Sequence, residues 1–573
     1  MKSDFVSHEP ISDVEMGSSN DAPEELKRNM KGRHINMIAI AGMIGTGLFL
    51  SSGQTIALAG PAGALLAYIF MGFVTAGVSY TTGEITAFMP VTGGFVRHAT
   101  AFVEPALGAA TGWNFWYTMS ISVPAELSAA ATLIQFWDEK TNPAVWITIF
   151  LITIVALNFC QVKMYGESEV IFASMKIALI IGLIIAGLIV DLGGGPKGDR
   201  IGFRYWRTPG AFNDYLVPGN TGKFLAFWSS LISAAFSYGN IQVVALSGTE
   251  TENPRKLIPD ATKKTFFRVF FFYVLSILIV GMICAQCCIN EDEIFDHGSD
   301  DFICPNVHAK FGHCSLRLAT NRPYTSEALS SSTGTAASSP FVIAFKAAGI
   351  KVLPSIINAV VCTSAISSGS ACIFLASRTL YGLSADGHAP KIFMRCNRQG
   401  TPIYAVALSV LPSPLVYMVV SNKAATVFSW FVNITTVAGL IGWVIIQITY
   451  LRFYYALARQ GISRDALPYK SPFQPYVAWI TGFIVFLVIF FSGYAVFFPG
   501  NFTASGFLTY YINIAIFVAL YVFFKIFLKS KIIPLESINF EAEFESIRRW
   551  RESSGSMNDP NMGVGRKIWD KIF

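Results

Sequence analysis

A chain of 573 residues that is 53% hydrophobic and only 14% charged departs from soluble proteins, which carry about 25% charged residues. The net charge is +6, and the basic residues lie between long apolar blocks. They read as orientation signals in a membrane protein rather than as a nucleic-acid surface. The first 25 residues are polar, with Asp4, Glu9, Asp13, Glu15, Asp21, Glu24 and Glu25 against a single lysine, Lys2. With neither a basic leader nor an apolar core, 1–25 is expected to be a disordered tail ahead of a transporter domain over 26–530.

Twelve apolar segments follow, at roughly 36–57, 62–88, 106–136, 144–160, 167–190, 224–249, 266–289, 352–383, 402–421, 426–451, 476–499 and 507–530. An even number places both tails on one side. Lys27, Arg28, Lys31 and Arg33 precede span one. Arg255, Lys256, Lys263, Lys264 and Arg268 follow span six, Lys391, Arg395 and Arg398 follow span eight, and Arg452, Arg459, Arg464 and Lys470 follow span ten. All fall on one face, which is expected to be cytosolic together with both tails, including 531–573. The 191–223 loop, with Lys197, Arg200, Arg204, Arg207 and Lys223, is the exception on the outer face. Also outside, Asn501-Phe502-Thr503 matches the glycosylation acceptor pattern, although very close to the membrane.

Two spans carry matched interruptions. Span one contains Gly42-Met43-Ile44-Gly45-Thr46-Gly47, and span six contains Phe236-Ser237-Tyr238-Gly239-Asn240. Glycine costs about 1 kcal/mol in a helix interior, and irregular backbone at membrane depth survives only inside protein or beside a water-filled cavity. Close helix packing explains either site alone. Together they open the first and second groups of five spans, which points to an inverted-repeat carrier with its site at mid-membrane. Half-helix N-termini suit a carboxylate and free carbonyls suit an ammonium, so the site fits a zwitterion.

Several motifs in order carry a resemblance. Arg33-His34-Ile35-Asn36 leads into Gly42–Phe49, and Gly83-Glu84 precedes Met89-Pro90-Val91-Thr92-Gly93-Gly94-Phe95. Pro124-Ala125-Glu126-Leu127, Gly248-Thr249-Glu250 with Glu252-Asn253-Pro254-Arg255-Lys256, and Ala376–Leu383 with Asp386–Lys391 follow. Over about residues 27–530 the chain resembles the fungal amino acid permeases of the amino acid–polyamine–organocation superfamily. The resemblance implies an all-α polytopic membrane protein of twelve transmembrane helices, as a 5+5 inverted repeat with helices one and six broken, plus two C-terminal helices. It implies proton-driven amino acid uptake across the plasma membrane by alternating access. Ile44, Gly45, Thr46 and Gly47 would hold the substrate carboxylate. Phe236, Ser237, Tyr238 and Gly239 would meet the amino group and shape the pocket, with Thr435 lining it. Members usually follow the span-six break with a small residue, threonine and glutamate, whereas this chain has Asn240-Ile241-Gln242. A glutamine carries neither charge nor proton, and a different specificity is the natural consequence.

Ionisable residues inside spans are functional candidates. Glu126 resembles the family's span-three glutamate and could bind or relay a proton if burial favours its neutral form, or is a carboxylate satisfied by neighbouring hydroxyls. Lys176 in span five resembles the lysine that replaces a sodium ion in proton-coupled relatives, or snorkels to the interface. Glu84 and Glu250 near the cytosolic ends of spans two and six form a gate or bind the basic loops. Cys304 and Cys314 share the expected extracellular loop 290–340, where a disulfide, free thiols or a metal with His308 and His313 are all open, although the spacing fits no standard zinc pattern. Phe540, Phe544, Ile547 and Trp550 at helical spacing suggest an amphipathic helix on the membrane face or on the permease itself, or else chance in a solvated tail. The family's regulation makes ubiquitin-ligase adaptors possible partners, with Lys2, Lys27 and Lys31 placed for modification. No enzyme constellation and no cofactor motif stands at mid-membrane. A sodium-coupled carrier, an exchanger and an amino acid sensor are the rival readings. Tyr238 with Gln242 leans toward neutral or broad specificity.

Overall fold

The computed structural model describes residues 44–91, 93–138, 140–159, 162–243, 254–284, 339–397, 400–422 and 424–555. The 1–25 tail, Glu250, Cys304, Cys314 and nearly all of the 290–340 loop lie outside them. Among the described residues regular structure is helical, apart from one isolated bridge between Cys396 and Pro402.

Each of the twelve apolar segments contains helix. Span one starts as a π-helix at Gly47–Ser51 and runs on into Ser52–Phe88, which also holds span two. The junction is a corner at Gly60-Pro61. Gly60 has φ 76°, and a Cβ there would lie 2.7 Å from the Ala211 carbonyl oxygen, so glycine alone fits. Spans three, four and five are Pro105–Ile134, Pro143–Phe159 and Val162–Asp191. Span six is Asn220–Ser237 and span seven Pro254–Ile283. The basic run expected as a connection after span six, Arg255 to Lys264, is instead the first turns of that helix, started by Pro254 at its N-terminus. Span eight is Leu353–Ala385, span nine Ile403–Val410 with Ser413–Val420, and span ten Ala424–Arg459. Tyr476–Phe490 and Ala504–Leu528 are spans eleven and twelve.

Among the described residues seven helical stretches are long and apolar enough to cross a bilayer, one of them holding spans one and two together, and span three is not among them. Its Ala, Gly, Ser and Thr residues lower its hydropathy and allow close backbone approach at the centre of the bundle. Its neighbours show the architecture. Span three packs most extensively on span eight, the helix Ser52–Phe88 that holds spans one and two packs on spans seven and six, and span four lies against both span eight and span nine. Spans three and eight are five apart, as are four and nine, and the pair one and two lies against the pair six and seven, which fits two five-helix units related by a pseudo-two-fold axis. Span twelve presents Val518, Val522, Phe523, Ile526 and Phe527 outward, as lipid contact demands.

The exceptional 191–223 loop is a packed cap. The Trp206 indole donates to the Gly281 carbonyl at 3.0 Å and Asn213 Nδ2 to the Ala57 carbonyl at 2.8 Å. Arg204 pairs with Asp199 at 2.7 Å, and Asp199 is thereby held below its usual range, so part of the loop's positive charge is neutralised locally. On the opposite face, the C-terminal segment docks on the protein itself. Ile538, Phe540 and Ile547 are buried in a cluster with Ile85, Phe88, Phe102 and Phe453. The Phe88 ring lies 5.7 Å from Phe540 and 5.4 Å from Phe544. Phe540 precedes the helix Glu541–Gly555, whose Glu543 pairs with Arg255 at 3.2 Å.

Candidate functional site

The two glycine interruptions lie at helix ends among the described residues, and they meet. Residues 44–46 are bends. The Thr46 carbonyl accepts from the Phe49 and Leu50 N–H groups at 3.1 and 2.9 Å, starting the helix at Gly47. A helix start leaves N–H groups without intrahelical partners and carries the positive dipole end. In span six the Gly239 N–H closes on the Phe236 carbonyl at 3.1 Å, and Asn240 turns to φ 67°. Asparagine tolerates that left-handed conformation better than most residues. A Cβ on Gly47 would stand 2.9 Å from Ser237 Cα and 3.1 Å from Phe236 Cδ1. The crossing of the breaks therefore depends on glycine.

Behind span one lies a buried charged group. A Cβ on Gly45 would be 2.8 Å from Glu126 Oε1 and 3.1 Å from Ser368 Oγ. Glu126 is 5% exposed, and its Oε1 accepts from Ser368 Oγ at 3.0 Å. Its Oε2 has no hydrogen-bond partner among the described residues. Lys176 is 1% exposed, so it does not snorkel. Its Nζ donates to Ser367 Oγ at 3.3 Å, and that hydroxyl donates to Glu169 Oε2 at 3.0 Å. Sequence reasoning missed Glu169, although it lies seven residues, two helical turns, before Lys176 and so shares its face. The Ile44 carbonyl accepts from Ser364 Oγ at 3.4 Å, which ties the bent segment to span eight.

On the other side of Phe236 a cavity of about 440 Å³, its open mouth included, lies between spans three, six and ten. Phe236, Gly239, Gln242 and Thr435 line it, with Trp443 and Thr118. Trp443 and Thr118 were not foreseen. The Trp443 indole donates to Gln242 Oε1 at 2.9 Å. Phe236 meets Phe428 edge-to-face at 6.2 Å. Ser237 and Tyr238 face away from this cavity. Ser237 Oγ is 2.9 Å from the Tyr68 hydroxyl, and Tyr238 packs against Tyr68 and Tyr273. Ile44, Gly45, Thr46 and Gly47 are not on the cavity wall either. They stand against span six, Glu126 and span eight, and Phe236 borders both regions, with Cδ1 3.1 Å from a Cβ on Gly47 and its side chain on the cavity wall.

Glu84 is fully buried and densely bonded. Arg464 reaches it with both Nε and Nη2, at 3.0 and 2.7 Å, the Tyr450 hydroxyl donates at 2.9 Å, and the Ser471 N–H donates at 2.8 Å. The Ser471 hydroxyl also donates to it. This carboxylate therefore fastens the 464–471 connection to the end of span two.

The chain matches the amino acid permease family over residues 34–534. It is 42% identical over 506 residues to a proline-specific permease of Emericella nidulans, covering 88% of this chain and 86% of that one. The chain belongs to the amino acid permease family. A lysine-specific permease of Saccharomyces cerevisiae is 36% identical, with 99% of this chain and 85% of that one covered. A dicarboxylic amino acid permease of the same yeast is also 36% identical, covering 94% and 83%. The permease shares its fold with the manganese transporter of Eremococcus coleocola at a TM-score of 0.51 and 13% identity, over 87% of this chain and 94% of that one. It is thus a multi-pass membrane permease whose substrates are amino acids.

Proposed function

We propose that this permease takes up amino acids by proton symport and alternating access across the plasma membrane, with both termini in the cytosol. The carrying observation is the placement of Glu126. It is a buried carboxylate against the bent backbone of span one, with one oxygen bonded to Ser368 and Thr46 as its other polar neighbour. Such a group is expensive in a membrane unless it exchanges a proton or finds a partner. In this reading the substrate carboxylate lies on the N–H groups of 44–47, and Glu126 behind them carries the coupling proton. In this reading Lys176, whose Nζ donates to Ser367 Oγ in a chain that continues to Glu169, stands in for a driving sodium ion. Glu84, bonded as it is, acts as an anchor of the cytosolic face. The named substrates of the relatives differ, being proline for one and lysine or dicarboxylic amino acids for others at similar identity, and so leave the substrate to the geometry.

The test is uptake of labelled amino acids into proteoliposomes holding the full chain. Uptake is expected to need an inward proton gradient, to collapse with a protonophore, and to be unchanged when sodium is replaced by choline. Glu126→Gln is expected to abolish gradient-driven accumulation while retaining exchange of internal for external substrate. Sodium-dependent uptake indifferent to protonophore would overturn the mechanism.

A further inference from the structure

Resting on that transport reading, we infer that the cavity between spans three, six and ten receives the substrate side chain and admits only uncharged ones. Every α-amino acid brings a carboxylate and an ammonium, secondary only in proline, to the two breaks, so groups that meet those ends cannot sort side chains by charge. Discrimination falls to the remaining cavity. No lining residue of that cavity is charged among those described.

Its polar groups are also largely committed. The hydroxyls of Thr118, Ser122, Thr435 and Thr436 donate to the carbonyls of Asn114, Thr118, Phe431 and Val432, each four residues back on its own helix, at 2.6 to 2.8 Å. They therefore offer lone pairs to the cavity and no proton. The Trp443 indole is spent on Gln242. An indole N–H can only donate, so the amide oxygen of Gln242 must face it and the NH₂ end is what remains. Phe236, Met119 and Leu440 complete an apolar wall.

A side-chain carboxylate would find no cation, only the amides of Gln242 and Asn240 and a ring of lone pairs. A side-chain ammonium would find neutral acceptors and no counter-charge. Desolvating an unpaired charge in such a site is costly enough to weaken binding by about a hundredfold or more. The resulting order is neutral first, cationic second and anionic last.

The experiment uses the full chain in proteoliposomes under a fixed inward proton gradient, with a panel of labelled neutral amino acids, L-lysine and L-glutamate. At least one neutral amino acid should be accumulated. L-Lysine and L-glutamate should show a KM about a hundredfold higher or compete correspondingly weakly. A KM for either within tenfold of the best neutral substrate overturns this inference alone. Failure to take up any amino acid overturns the transport reading together with it. In Gln242→Glu, a carboxylate enters the wall and the ratio of lysine to neutral KM should move about tenfold toward lysine. An unchanged ratio in that variant, at normal membrane insertion, removes the cavity as the side-chain site. The wild-type arm decides the specificity whether or not the variant folds.

Discussion

Gly45→Ala isolates the contact on which the candidate site turns. The added methyl would stand 2.8 Å from Glu126 Oε1, where ordinary contact begins at 3.4 Å, so the carboxylate must retreat by about 0.6 Å. It cannot do so alone. Ser368 Oγ is 3.1 Å from the same methyl and is hydrogen-bonded to that oxygen at 3.0 Å. Either the pair shifts together or the bent backbone of span one moves out of register with span six, where Gly47 has no slack against Ser237. Overpacking of this kind costs about 1–3 kcal/mol. Loaded onto the substrate-binding geometry, a cost near 2 kcal/mol is about a thirtyfold loss. The assay is initial-rate uptake normalised to surface-biotinylated protein, with Gly182→Ala as control, since a Cβ at Gly182 meets nothing within 4 Å. Gly45→Ala should lose about tenfold or more at unchanged surface amount, and Gly45→Val should abolish transport. Uptake by Gly45→Ala within twofold of wild type would refute the assignment of this segment to the site.

Glu84→Gln leaves the Arg464 guanidinium facing a neutral amide. With Arg464 partly exposed, the cost is about 2–3 kcal/mol, read as a lower thermal midpoint with an unaltered KM; a changed KM at constant midpoint would make Glu84 a gate. His98, in the short helix Phe95–Phe102, is buried and accepts no charge easily: burial pushes its imidazole down to about 4, against its contact with the Met89 carbonyl. The folded state therefore prefers neutral His98, a preference fully present above the ordinary value near 6.5 and lost as pH falls from there through 4, for about 3 kcal/mol. A melting series from pH 7.5 to 4 in detergent should show this acid loss, flattened in His98→Gln; identical slopes would remove His98 from the account. Phe540→Ala empties a place among Phe88, Phe102 and Phe453 and should cost about 3–5 kcal/mol of docking, seen as faster proteolysis of the C-terminal segment. Unchanged proteolysis would mean the segment rests elsewhere.

The spans were legible because a bilayer imposes a length, and the breaks were legible because glycine is costly in a helix. The order of contacts within the site was less so. Residues 236–239 are consecutive on a helix end, where each step turns the side chain by about 100°. They cannot share one wall, and positions three apart do: Phe236 and Gly239 line the cavity, whereas Ser237 and Tyr238 face Tyr68 and Tyr273. That periodicity was in the sequence, as was the seven-residue spacing of Glu169 and Lys176. The pairing of Trp443 with Gln242 was not, because it joins residues 201 apart through tertiary packing. The substitution of glutamine in span six acquires its meaning only when the indole that fixes its amide is known.

Span eight shows why the charges belong with the breaks. Ser367 and Ser368 are neighbours on one helix and so point about 100° apart. One holds Lys176 and Glu169 of span five, and the other holds Glu126 of span three. Three residues earlier in the chain, Ser364 reaches the carbonyl of Ile44 in span one. A single helical turn of span eight thus touches the bent backbone, the carboxylate behind it and the buried lysine. Any displacement of span one that follows substrate release must strain or break the Ser364 and Glu126 contacts. Because Ser367 and Ser368 cannot move independently, the same displacement changes what surrounds Lys176 and Glu169. In the proposed mechanism, coupling of a proton to a zwitterion then needs no distant relay. It needs one stiff turn that carries both sets of hydroxyls.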